Sequence, residues 1–374
     1  MQRRLFAITI AQILSVFICG CVGGSQPKKS VSEKETKATK IESKELFDGG
    51  FATNNLLSVL VARNELWVGT ERGLFTFHPK TLKPYESYLS GEKVVDLAVG
   101  ASGTIYAAVE DKGLYYLPTA ESKFYATQGG KPRKIFVAEG TDDVYCATAN
   151  GIGLWSNSMW QRIEIPPMGE FASRANDVTS LAFDKKGTLW IGTNFGLYRR
   201  KAGSYEFLYG NYQIIQGNSV VNHAGNSPLG GNLFFDISVN PEHGGLMFST
   251  NGGLSLLKNP DNYKSPGEWQ TLTGDHTQTR MDLGRLVEHP IKGNSPLPSN
   301  FIKTAYGYGD LVLIGTDSGL FLFKDGKFEK YGLENQLAGD TIHDLYHQSN
   351  VDSDVIYVAT NGGLSILTRM RDAQ

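Results

Sequence analysis

The side chains best suited to chemistry gather in two stretches of the chain. The first, roughly 210–231, holds Tyr212, Asn222 and His223, and the second, 273–299, holds Asp275, His276, Arg280, Asp282, Arg285, Glu288 and His289. His276 and His289 are thirteen residues apart with carboxylates between them, a spacing compatible with two ligands of a metal, and His223 stands on the other stretch. Asp275 next to His276 is the first pair to consider for acid–base work. Gathered on one surface, these residues would form a polar binding face. No His-Glu-x-x-His, nucleophile-elbow serine or phosphate-cradling glycine loop accompanies them. The sequence therefore designates no catalytic residue, no metal set and no cofactor.

What must position these stretches is a repeat. Leu66-Trp67-Val68-Gly69-Thr70-Glu71-Arg72-Gly73-Leu74-Phe75 returns as Leu189-Trp190-Ile191-Gly192-Thr193-Asn194-Phe195-Gly196-Leu197-Tyr198. A Gly-Leu pair recurs at Gly113, Gly153, Gly253, Gly319 and Gly363, each behind a short run of apolar or small residues. This makes seven units, with successive glycine spacings of 40, 40, 43, 57, 66 and 44. Each unit reads as four short strands, a to d, rich in β-branched and aromatic residues. In the fourth they are Val178–Phe183, Thr188–Thr193, Leu197–Arg200 and Tyr205–Tyr209. Small residues in strand b, such as Gly69, Ala108 and Gly192, suit close packing of neighbouring units. A period near 40 with four strands per unit predicts an all-β, seven-bladed β-propeller.

The last unit lacks a strand d, and Lys44-Glu45-Leu46-Phe47 resembles the strand d of other units, such as Lys327-Phe328-Glu329-Lys330-Tyr331. The N-terminal segment is therefore expected to close the ring, giving a propeller over 45–374. The spacings of 57 and 66 come from the two polar stretches, which join blade 4 to 5 and blade 5 to 6. They read as long loops without clear secondary structure, lying side by side over one sector of the face that carries the b–c turns. Such loops are either functional or simply packed on the ring.

In strand a, Asn or Asp precedes a small or polar residue by four positions: Asn54/Ser58, Asn176/Ser180, Asn232/Asp236, Asn300/Thr304 and Asp340/Asp344. A short side chain there can bond its own backbone and fix the start of the strand. Alternatively, Ser58, Asp96, Ser180, Asp236, Thr304 and Asp344 form a polar ring around the central channel that could hold water or a cation, with Lys134 at the corresponding place in repeat 3.

The units resemble those of regulator propellers, found in the sensor regions of bacterial hybrid two-component systems and in stand-alone exported proteins. The resemblance rests on Leu297-Pro298-Ser299-Asn300, on Leu337-Ala338-Gly339-Asp340 and on the Trp-Ile/Val-Gly-Thr runs, and it covers about 46–370. It implies a fold and a binding habit, with no universal catalytic residue.

The first residues carry a different message. Arg3 and Arg4 precede an apolar run from Leu5 to Ile18, the n-region and h-region of a secretory signal. The run ends in Ile18-Cys19-Gly20-Cys21, which resembles the lipobox of bacterial lipoproteins. That resemblance implies a signal peptide over 1–20 and lipid on Cys21, which would hold the protein to the membrane. Val22 after the cysteine resembles the pattern sent to the outer membrane in Gram-negative bacteria. Residues 21–44, poor in apolar side chains, read as the lipidated cysteine and a flexible linker. Cys146, the one cysteine beyond Cys21, reads as a buried core thiol. A formal net charge of −2 gives no basic surplus for nucleic acid. Together these features predict an envelope lipoprotein whose propeller is a non-enzymatic sensor or binding module for a protein or glycan. The alternative is a propeller lyase or hydrolase acting on an exported polysaccharide or small molecule.

Overall fold

A computed structural model of the chain describes residues 37–42, 53–168, 174, 176–217, 219–335, 337–350 and 353–370. Seven four-stranded antiparallel sheets form the body, each running a-b-c-d from the centre outward. Their inner strands are Leu56–Ala62, Val94–Val99, Lys134–Val137, Val178–Phe183, Phe234–Val239, Thr304–Tyr308 and Ile342–Ser349. The protein is thus an all-β, seven-bladed propeller. Cys21 and the apolar run before it lie outside the described residues.

The recurring motif has a direct structural reason. In six blades the threonine that ends strand b (Thr70, Thr148, Thr193, Thr250, Thr316, Thr360) donates its hydroxyl to the carbonyl of the glycine three residues on. That glycine opens strand c at positive φ, between 87° at Gly196 and 138° at Gly73, where any side chain would be strained. The register corrects one position. The turn glycine of blade 3 is Gly151, opposite Thr148, whereas Gly153 lies inside strand c with the Trp160 ring packed over it.

Apolar residues segregate into seven buried clusters, one at each interface between neighbouring blades. The small strand-b residues permit this approach. A Cβ at Gly192 would lie 2.6 Å from the Cβ of Phe234, and one at Gly315 would lie 2.8 Å from Ile342 Cγ2. Phe234 and Ile342 each begin strand a of the next blade. Cys146 is buried between blades 2 and 3, where desolvation pushes its thiol pKa far up and holds it in the inert form.

The ring closes as expected, but with a different segment. Strand Lys37–Glu42 pairs antiparallel with Gly363–Met370 as the outer strand of blade 7, Lys37 opposite Thr368 and Glu42 opposite Gly363. The expected segment 44–47 lies outside the described residues.

Candidate partner-docking face

Each strand a begins on the face where the b–c turns and the d–a connections emerge, and the junctions there are clamped by the Asn and Asp residues of the repeat. Asn232 accepts the Gly210 N–H (2.7 Å), Asn300 the Gly274 N–H (2.8 Å), Asp340 the Leu333 N–H (2.9 Å) and Asn176 the Ile165 N–H (3.2 Å). In every case the donor lies two residues beyond strand d of the preceding blade. The carbonyls of the same four residues accept the N–H of the turn glycine of that blade, Gly196, Gly253, Gly319 and Gly151. These side chains therefore fasten one blade to the next rather than bonding only their own backbone.

The two long connections are not irregular loops. Tyr212–Gln216 pairs with Ser219–His223, and His276–Asp282 pairs with Arg285–Ile291, so each insertion is a β-hairpin standing as its own two-stranded sheet. Each rises from a neck of the same design. Gly210-Asn211 and Gly225-Asn226-Ser227-Pro228-Leu229 build the first, and Gly274-Asp275 and Gly293-Asn294-Ser295-Pro296-Leu297 the second. Asn226 accepts from Tyr209 N and donates to Phe207 O, and Asn294 accepts from Thr273 N and donates to Thr271 O. The paired glycines let the two legs of each neck touch; a Cβ at Gly225 or Gly293 would fall within 2.5 Å of the opposite leg. Leu229 and Leu297 are buried beneath them. The hairpins lie side by side, and the Gln213 side chain donates to Thr279 O across the seam (3.1 Å).

This architecture assigns the polar residues to definite places. Asp275 is the neck counterpart of Asn211: it pairs with Lys292 (2.7 Å) and accepts from Gly293 N (2.9 Å), contacts that, in that order, lower its pKa. His276 Nδ1 lies 3.1 Å from Gly274 O. Asp275 and His276 are thus tied into the neck, each by its own partner. Tyr212 and His223 stack cross-strand, ring centres 4.6 Å apart and planes 5° from parallel. Asn222 accepts from Gln213 (2.7 Å). Alternation brings Arg280, Asp282, Arg285 and His289 to one face of the second hairpin, where His289 Nε2 meets Asp282 Oδ2 at 2.5 Å and Arg280 bonds Gln278. His223 is on the other hairpin, and among the described residues no three His, Cys, Asp or Glu side chains converge as a metal set.

Apolar side chains stand exposed on both faces of the hairpins, between these polar residues. Ile215, Val221, Met281, Leu286 and Val287 are each 37–49 % exposed, and Leu283 at the tip of the second hairpin is fully exposed. Phe301, just past the second neck, is 50 % exposed. Leu283 and Gly284 form the turn, with φ of 49° and 77°. Two consecutive positive φ values are those of a hairpin turn that prefers Asn-Gly, so Leu at the first position is strained by about 1 kcal/mol. The turn thus holds an apolar side chain wholly in water on a backbone conformation that disfavours it.

At the ring axis, Lys134 Nζ lies 3.8 Å from Asp236 Oδ1. Asp96 accepts from Ile135 N (2.7 Å), Asp344 from Val59 N (2.9 Å) and Asp236 from the Thr304 hydroxyl (2.7 Å), each binding the inner strand of the next blade. Burial raises the carboxyl pKa of Asp344 to about 7 and also raises that of Asp96; Lys134 opposes both shifts. For Lys134 burial acts downward, but Asp236, Asp96 and Asp344 together outweigh it and hold the ammonium charged. The axial cation is thus supplied by the chain itself.

Residues 173–195, which span the first two strands of blade 4, match the family model described as two component regulator propeller. No curated protein matches the chain. Among solved structures, the chain is similar to YCF48 bound to D1 peptide (14 % identity, TM-score 0.52, covering 92 % of this chain and 98 % of that one). It is also similar to the WD40 β-propeller domain of Doa1 (9 % identity, TM-score 0.55, covering 90 % and 96 %). At these identities the likeness is one of fold.

Proposed function

We propose that the protein is an exported binding module, anchored to the membrane through lipid on Cys21, that grips a protein of the envelope with its hairpin-bearing face. The carrying observation is the exposed apolar end of the second hairpin, where Met281 and Leu286 stand opposite each other on one face beside the fully exposed Leu283 at the tip, on a hairpin held by a rigid neck. Such a patch with a polar rim suits a protein surface. A glycan is favoured less, because a sugar needs a free aromatic face and Tyr212 has one face covered by His223. The likeness to a propeller bound to a peptide supports the same reading. The anchor rests on the apolar run ending at Cys21, and Val22 favours the outer membrane.

Leu283→Asn tests the docking half. Asn suits the turn, so the variant should gain about 0.5–1 kcal/mol of stability in thermal melts. It should nonetheless lose most of the cross-linked partner captured from intact envelopes by the parent chain. Equal capture by both proteins would remove Leu283 from the contact. Cys21→Ser tests the anchor: palmitate labelling should vanish and the protein should leave the membrane fraction. A variant that stays membrane-bound would defeat the lipid assignment.

A further inference from the structure

The propeller face opposite the hairpins carries the c–d connections. In blades 3, 4 and 6 that connection is two residues long. In blade 5 it is an eleven-residue arm, 258–268, between strands Gly253–Leu257 and Trp269–Leu272, with 3₁₀ turns at Pro260–Asn262 and Pro266–Glu268. The arm is latched onto blade 4. Tyr263 is buried, its ring centre 4.5 Å from the Arg199 guanidinium carbon and 5.9 Å from the Trp190 ring, and Trp269 Nε1 donates to its carbonyl (2.6 Å). Between the arm and the outer strands of blade 4 lies a cleft of about 830 Å³.

The walls of this cleft are charged, and their pairing leaves a remainder. Arg199 lies opposite Glu206 and Lys201 opposite Ser204 across strands c and d, which sets all four side chains on one face of blade 4. Glu206 accepts from the Tyr263 hydroxyl, from Arg199 Nη1 (2.9 Å) and from Lys264 (3.0 Å). The Tyr263 bond, against desolvation and joined by Lys264 and Arg199, holds Glu206 below the usual carboxylate range. Asp261 on the arm pairs with Lys186. Both carboxylates of the cleft are thus already matched. Lys201 acts on Asp261 only at longer range and, among the described residues, makes no ion pair or side-chain hydrogen bond of its own. Arg199 Nε is buried without an acceptor. The cleft therefore has positive charge and donors to spare.

The kind of donor selects the anion. The planar fork of Arg199, which suits a carboxylate, is committed to Glu206 and stacked on Tyr263 and Trp190. What remains is the compact ammonium of Lys201 on one wall and that of Lys264 on the other, with Ser204, Asn262 and Ser265 beside them. Point charges and single donors spread over two walls suit a tetrahedral anion carrying up to two charges. We propose that this cleft binds a phosphate monoester, with Lys201 and Lys264 pairing with its oxygens from opposite sides. A soluble sugar phosphate and the headgroup of a phosphatidic lipid present the same group. Because the arm is fastened by Tyr263 and Trp269, the site is preformed and little ordering opposes binding. It lies at the other end of the strands from the hairpins and stands independently of the docking reading.

A few charge-assisted bonds in an open cleft give a Kd of about 0.1–1 mM. The test titrates the full chain in dodecyl maltoside with glucose 6-phosphate by calorimetry, beside glucose, which should give no binding heat. Lys201→Gln should weaken binding roughly tenfold or more, the scale of one lost charge-assisted bond. Lys80→Gln removes the same charge from the c–d connection of blade 1 and should leave the affinity within about twofold. Both lysines are exposed, so both thermal melts should match the parent. Dihexanoyl phosphatidic acid then distinguishes the sources. Binding about tenfold tighter than glucose 6-phosphate assigns the site to a lipid headgroup, and equal or weaker binding assigns it to a soluble phosphate. No binding of either probe up to about 10 mM would overturn the proposal, as would binding that Lys201→Gln leaves unchanged.

Discussion

Replacing Lys134 by methionine should cost the protein about 3–5 kcal/mol at neutral pH, the scale for leaving buried charge without its partner. For a body of this size that is a fall in Tm of roughly 10 °C. Methionine keeps the length of the side chain but leaves Asp96, Asp236 and Asp344 facing one another around the axis. The pH dependence distinguishes this account from a simple packing defect. Asp344 has its pKa raised to about 7 in the folded protein, and Asp96 is shifted in the same direction. A raised carboxyl binds more protons folded than unfolded, so its contribution is fully present below the ordinary carboxylate pKa near 4 and is lost as pH rises toward 7. Removing the Lys134 ammonium pushes both carboxyls higher still. The variant should therefore recover most of its lost stability by pH 5, and Lys134→Met combined with Asp344→Asn should be more stable than Lys134→Met alone at pH 7.5. Melts across pH 4.5–8.5 measure this. A deficit that does not change with pH would show that packing, not charge, is what Lys134 provides.

Deleting residues through Glu42 should open the ring. Six residue pairs join Lys37–Glu42 to Gly363–Thr368. At a net ~0.5–1 kcal/mol for each ladder bond, the loss is about 3–6 kcal/mol, a large fraction of the stability of a typical domain. It also bares strand Gly363–Met370, which should promote association through that edge. The complementary variant, Thr39→Cys with Ile366→Cys, places a disulfide at opposed positions of the same ladder and should raise Tm when oxidised. Truncated protein that melts like the parent would mean that the closing strand contributes little.

The ring was legible in the sequence because each unit spends the same few residues on the same geometric problems. Threonine closes the b–c turn, glycine takes its positive φ, and a small residue in strand b admits the next blade. Where two glycines stood close together, at 151 and 153, periodicity alone chose the wrong one; only register with Thr148 resolves them. The closing strand was legible as a need but not as a position, because Lys37–Glu42 alternates polar and apolar residues too weakly to stand out from its surroundings. The hairpins were missed for a different reason. Their signal is the alternation in 212–223 and 276–291 and the repeated Gly-Asn-Ser-Pro-Leu at their bases, and polar side chains on both faces of each strand make that alternation weak. That repeat shows Asp275 to be a neck residue, equivalent to an asparagine. The exposure of Leu283 follows from the turn it occupies and could not be read from its identity.

The pairing of Lys37–Glu42 with Gly363–Met370 also sets the order of events during synthesis. The strand made first is the one used last, because its partner follows more than 300 residues later. Until then the blades can dock one after another through their interfacial clusters, while blade 7 has no outer strand. Bringing the two ends together costs about 5 kcal/mol of chain entropy if nothing lies folded between them, and far less once six docked blades have already curved the chain back on itself. Ring closure is therefore the final step, and the nascent protein must keep its first strand from pairing elsewhere for the whole time the body takes to emerge.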